Sequence, residues 1–139
     1  MSANINPIFG LTPHVSFVNI GTNAVTGTDG ISADTKTVFT ATSNGSRIDD
    51  VYIQPLGTNS SDSTIRFYVN NGSDHTVATN NALIHEETLV ASTISQTAAA
   101  SAAIKWAANL ILPPGYVLLV NAGTALAGDA KVTAVGSDF

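Results

Sequence analysis

Cysteine is absent from the 139-residue chain, so no disulfide framework holds it and its redox compartment leaves no trace in the sequence. Charge is scarce too. Only 11% of the residues are charged, against about a quarter in an ordinary soluble domain, so solubility falls to Thr, Ser and Asn. The permanent cations are Lys36, Arg47, Arg66, Lys105 and Lys131, scattered through a chain of net charge −5. Neutralising a phosphate backbone takes a clustered basic patch, so no nucleic-acid partner is expected. No apolar run approaches the ~20 residues of a membrane-spanning helix, and no membrane partner is expected. The longest candidate, Leu110 to Val120, is broken by Pro113-Pro114-Gly115. No basic segment precedes an apolar one at the N-terminus, so no secretory signal is expected. The sequons at Asn44, Asn59 and Asn71 therefore carry no weight as glycosylation sites.

Catalytic and cofactor motifs are missing as well. There is no Gly-x-Ser-x-Gly elbow, no Gly-x-Gly-x-x-Gly and no phosphate loop. His14, His75 and His85 lack zinc-ligand spacing. Asp29 and Asp34 do not fit an EF-hand, which also needs a closing Glu. His85-Glu86-Glu87 reads as a polar strand segment facing solvent. Asp49-Asp50 are neighbours on a strand and point to opposite faces, which argues against shared acid–base work and for charges that discourage strand addition at a sheet edge. The reading is a protein that is not an enzyme and takes no cofactor or metal. A hydrolase is kept only because Ser, His and Asp are all present.

What the chain does contain is strand pattern and turn chemistry. At 139 residues it is read as one domain, large enough to bury roughly two-thirds of its unfolded surface. The central stretch runs from Lys36 to Val69: a strand at Thr37–Ala41, a turn at Ser43-Asn44-Gly45-Ser46, a long strand at Arg47–Leu56 and another at Thr64–Val69. Asn-Gly between β-rich runs is the strongest short-range hairpin signal. Ile65, Phe67 and Val69 alternate with Thr64, Arg66 and Tyr68, as in a half-buried antiparallel strand. Ile48 is out of phase with Val51 and Ile53, which calls for a bulge. Further strands are expected at Val15–Ile20, Ala82–Val90, Tyr116–Asn121 and Ala130–Val135, with short ones at Thr76–Ala78 and near Asn23–Thr26. Ala102–Ala107 is read as strand, although its alanines favour helix. Leu110–Tyr116 is read as a corner. About eight antiparallel strands at this spacing predict an all-β sandwich, jelly-roll-like, over residues 15–139. Residues 1–14 are read as an extended N-terminal arm, against the alternative of a frayed terminus, and its Ile5, Ile8, Phe9 and Leu11 are candidate partner-binding residues. Tyr52, Tyr68, Trp106 and Tyr116 are candidates for a sugar-stacking platform.

Ser43-Asn44-Gly45-Ser46-Arg47-Ile48, Val69-Asn70-Asn71-Gly72 and Leu112-Pro113-Pro114-Gly115-Tyr116 follow one another in an order that resembles small β-sandwich virion proteins of tailed phages, some of them similar to capsid cement or decoration proteins. The resemblance spans roughly Val15 to Phe139 and lies in turn motifs. It implies a structural virion protein, commonly a homotrimer, seated on the major capsid protein at junctions between hexamers. It implies a place on the capsid exterior, after assembly in the host cytoplasm, and offers no catalytic residues. The alternative expectation is a tail- or fibre-associated carbohydrate- or receptor-binding module.

Overall fold

Alternation and turn residues build this chain locally; pairing between distant segments then sorts its strands into two layers. The computed structural model describes residues 10–139, which form nine strands and no α-helix. They are β1 (Thr12–Ile20), β2 (Lys36–Thr40), β3 (Ser46–Pro55), β4 (Ser63–Asn70), β5 (Asn81–Leu89), β6 (Ile104–Trp106), β7 (Leu110–Leu112), β8 (Val117–Ala122) and β9 (Ala130–Asp138). The first sheet runs β1-β9-β3-β6, with β7 also pairing to β3; the second runs β2-β8-β4-β5. All pairings are antiparallel. The core between the layers is mainly aliphatic, with two fully buried phenylalanines, Phe39 and Phe67. Val51, Ile53, Val132 and Ala134 face it from the first sheet, and Ile65, Leu118 and Val120 from the second.

The expected all-β antiparallel sandwich is therefore present. The bulge in β3 is present too: the register with β9 shifts between Ile48 and Asp50, leaving Asp49 as the extra residue. That single residue lets Ile48, Val51 and Ile53 all be buried. Ile65 and Phe67 are fully buried as the alternation requires, but so is Tyr68 on the opposite face. Ala82–Val90 and the centre of Ala102–Ala107 are strands, because β5 pairs with β4 and β6 pairs with β3.

Several expectations are corrected. The Asn44-Gly45 turn does not join a hairpin, since β2 and β3 belong to different sheets. Gly45 N donates to Thr42 O at 3.0 Å, and the positive φ falls on Gly45 (+87°) without Asn44. A type I′ hairpin needs positive φ at both central residues, so this turn is a corner between layers. Asp49-Asp50 is not at an edge, because β3 has β9 on one side and β6 and β7 on the other. Thr76–Ala78 is a turn leading into a 3-10 turn at Ala78–Asn80, in which Val77 N bonds back to Asp74 O. Asn23–Thr26 is loop, held by a hydrogen bond from Val25 N to Ala122 O at 2.8 Å. Leu110–Leu112 is a strand before its corner, which brings the count to nine, and β1 starts at Thr12, ahead of Val15.

Candidate functional site

The two sheets treat their outer faces differently. The outer face of the second sheet is covered by the segment 21–35. Arg66 on β4 donates from Nη1 to Val25 O at 2.9 Å and pairs through Nε with Glu86 at 3.0 Å. Asn121 on β8, fully buried, donates to Thr35 Oγ1 at 3.0 Å and to the Tyr68 hydroxyl at 3.4 Å. Burial under this cover raises the Tyr68 pKa, and the Asn121 hydrogen bond only partly opposes that. A buried polar group is tolerated when it is bonded, and these contacts satisfy Arg66 and the Asn121 Nδ2, whereas the buried Asn121 Oδ1 has no partner among the described residues.

Among the described residues, no comparable segment is held over the outer face of the first sheet. Antiparallel register places its outward residues in rows. One row runs Pro13, Ser137, Arg47, Ile111; the next runs Val15, Val135, Asp50; another runs Phe17, Thr133, Tyr52, Lys105. Val15, Phe17 and Ile111 are 57%, 63% and 65% exposed, and Leu11 just ahead of β1 is 80% exposed. Lys131 Nζ lies 5.0 Å from the Phe17 ring centre and Lys105 Nζ 5.8 Å from that of Tyr52. Lys105 also meets Asp50 at 3.3 Å, and the hydrogen bond and attraction of that carboxylate raise its pKa. The two lysines sit beside aromatic faces, while Arg47 and Asp50 stand among the apolar residues in the middle of the face.

The edges sharpen the contrast. An exposed strand edge invites pairing unless it is short, charged, bulged or interrupted by proline, and β1 has Pro13 at its second position. β6 and β7 have three residues each. β2 has five residues, begins with Lys36 and shifts register between Thr37 and Phe39. β5 shifts register at Phe67/Tyr68 of its partner and carries Glu86 and Glu87. β1 has nine residues, keeps one register with β9 throughout and carries no Asp, Glu, Lys or Arg.

Of the candidate partner-binding residues, Ile5, Ile8 and Phe9 lie outside the described residues. Leu11 is at the head of the bare face, its N–H donating to Asp138 O at 2.7 Å. Sequence reasoning missed Val15 and Phe17. Both faces of β1 carry apolar side chains, and that doubled pattern was the available signal. At the same end of the sandwich lies an open apolar groove of about 460 Å³, walled by Ile111, Leu112, Pro113, Pro114 and Phe139 over Gly45.

The polar clusters are wired as structural ties. Ser46 Oγ donates to Asp138 Oδ1 at 2.5 Å, and His14 Nδ1 meets the same oxygen at 2.8 Å. Ser and His here both hold Asp, whereas a nucleophilic triad needs His between the other two. Burial works to raise the Asp138 pKa; the hydrogen bonds from Ser46 and His14, with the attraction of His14, outweigh it and leave the carboxyl below its ordinary value. His85 does not face open solvent as expected. Its ring stacks on Trp106 at 4.2 Å and 7°, closing the seam between β5 and β6, while Nε2 meets Glu87 at 2.9 Å. The four aromatics do not form one platform: Tyr68 is buried, Trp106 and Tyr116 pack against the core, and Tyr52 alone stands out on the first sheet. Among the described residues no three His, Asp or Glu side chains are grouped to hold a metal, and no helix is long and apolar enough to cross a membrane.

Comparison with protein-family models, with curated proteins and with solved structures found no match, so the bare face of the first sheet stands on its own geometry.

Proposed function

We propose that this protein is a non-enzymatic structural component of a tailed-phage virion, a capsid cement or decoration protein that binds the major capsid protein as a homotrimer on the capsid exterior. The observation that carries the reading is the exposed apolar set Leu11, Val15 and Phe17 on and just ahead of β1, a nine-residue edge strand that is uncharged and unbulged and has Pro13 only at its start. Exposed contiguous apolar surface beside such an edge marks a place where another protein packs. A lattice-bound trimer adds multivalency: once one copy is bound, the next contacts are effectively intramolecular. Arg47, Lys105 and Lys131 border this face, so added salt should weaken part of such binding and leave the apolar part.

A jelly-roll arrangement belongs to the same proposal. It is supported by the strand order β1-β9-β3-β6 over β2-β8-β4-β5, in which successive strands of the first half alternate between layers. The alternative of a sugar-binding tail module draws no support from the scattered aromatics.

The test is light scattering at several concentrations, then co-sedimentation with capsids of the native protein and of a Val15→Asp/Phe17→Asp variant. A trimer that sediments with capsids, and a folded variant that does not, is the expected result. A monomer that fails to bind capsids overturns the reading.

A further inference from the structure

We propose that the apolar groove walled by Ile111, Leu112, Pro113, Pro114 and Phe139 is the docking site of the chain's own N-terminal segment, with Ile5, Ile8 and Phe9 as its anchors. The proposal goes beyond the virion reading and holds whatever the protein binds.

Three observations carry it. The first is where the described chain begins. A Cβ placed on Gly10 would collide with the Ser137 side chain. Ser137 pairs with Pro13 on one side and Arg47 on the other, and its side chain belongs to the outer row Pro13, Ser137, Arg47, Ile111. Gly10 therefore lies over β9, having turned back across the sheet from the head of β1, and not off its end. Only glycine permits that approach, since any side chain would have to displace Ser137.

The second is reach. From β9 to β7 is two strand spacings, about 10 Å. Phe9 directly precedes Gly10, and the nine residues before Gly10, if extended, span up to ~30 Å. The groove wall Phe139 is itself two residues from Ser137, and its N–H donates to Gly45 O at 3.2 Å, so floor and wall are fixed beside the arm's root.

The third is chemistry. The groove is open and apolar, and residues 1–9 contain four large apolar side chains, Met1, Ile5, Ile8 and Phe9, and no charged side chain. A tether this short gives an effective concentration in the millimolar range, which outcompetes the same segment of a second copy at micromolar protein. The occupant is accordingly the segment in cis.

The absence of native cysteine makes the test clean. Ile8→Cys/Ile111→Cys and Phe9→Cys/Pro114→Cys double variants are oxidised at low micromolar concentration and run on a non-reducing gel, with Ile8→Cys/Thr124→Cys as control. Thr124 lies in the β8–β9 connection, at the other end of the sandwich. The expected result is a cross-linked monomer in at least one test pair, in a yield unchanged by tenfold dilution, and none in the control. Bands of cross-linked dimer or larger species that fade on dilution would overturn the cis assignment. No cross-link in either pair, with both variants folded by circular dichroism, would overturn the site. As a second readout, deleting residues 1–9 should raise the binding of an apolar dye several-fold, and adding a peptide of residues 1–9 should reverse it. An unchanged dye signal also counts against the proposal. A loss of capsid binding with the cross-link intact would overturn the virion reading alone.

Discussion

Phe67→Ala should be among the most damaging single substitutions. Phe67 is fully buried on β4, an interior strand paired to β5 and β8. Its ring meets Trp106 of the facing sheet at 4.9 Å and 42°, and Trp106 stacks in turn on His85. Truncation removes the ring's transfer energy and leaves a cavity between two layers whose backbones are fixed by ladder pairing on both sides. Such a site collapses poorly, which places the loss at about 3–5 kcal/mol. The aromatic pair with Trp106 contributes about 0.5–1.5 kcal/mol of that. Against a total stability of ~5–15 kcal/mol this is a large share. Urea unfolding followed by fluorescence reads it directly, because Trp106 is the sole tryptophan. With a slope of ~2 kcal/mol per molar, a 4 kcal/mol loss lowers the midpoint by ~2 M. Phe67→Leu should lose less than half as much. A loss below ~1 kcal/mol for Phe67→Ala, at unchanged slope, would refute the placement of this ring at the centre of the core.

Three further outcomes are expected. Asp49→Ala should lower stability by less than ~1 kcal/mol, since its 2.7 Å ion pair with Arg47 is half exposed; deleting Asp49 should prevent folding, because the lost bulge turns either Ile48 or Val51 and Ile53 out of the core, which circular dichroism and solubility would show. Gly136→Ala should cost about 1–3 kcal/mol in thermal or urea unfolding, because its Cβ would press into the Arg47 carbonyl, a backbone atom held by the β3–β9 ladder. The Asp138 pKa is lowered on folding, so its stabilisation is present above the ordinary value of 3.8 and is lost as pH falls through the lower folded value; Asp138→Asn should be clearly less stable than the native protein at pH 6, with the difference shrinking toward pH 2 in urea midpoints.

Local pattern carried much of this structure. Alternation at Ile65 and Phe67 marks one face of β4. The phase slip between Ile48 and Val51 marks the bulge, since only an extra residue reconciles two apolar sets of opposite parity. The alanines before Ile104 carry helix propensity, but the short strand Ile104–Trp106 pairs with Val51–Ile53, and that pairing decides the state. The candidate face was less legible. On β1, Val15 and Phe17 alternate with Val18 and Ile20, so both faces are apolar, and no local rule says which one is inside.

The sequence by itself determined the longer strands, the places where the chain turns and the bulge, because each depends on neighbours within a few residues; the three-residue strands β6 and β7 exist only through their pairing with β3. Only the tertiary structure decided which strands pair. Asn44-Gly45 supplies a reversal of direction, but whether the chain returns into its own sheet or crosses to the other depends on β8 claiming β2 while β9, β6 and β7 claim β3. Those partners lie some 60 to 90 residues away from the turn. The same long-range pairing leaves one outer face bare: the 21–35 segment is held on the second sheet by Arg66, Asn121 and Ala122, and no described segment is similarly held over the first.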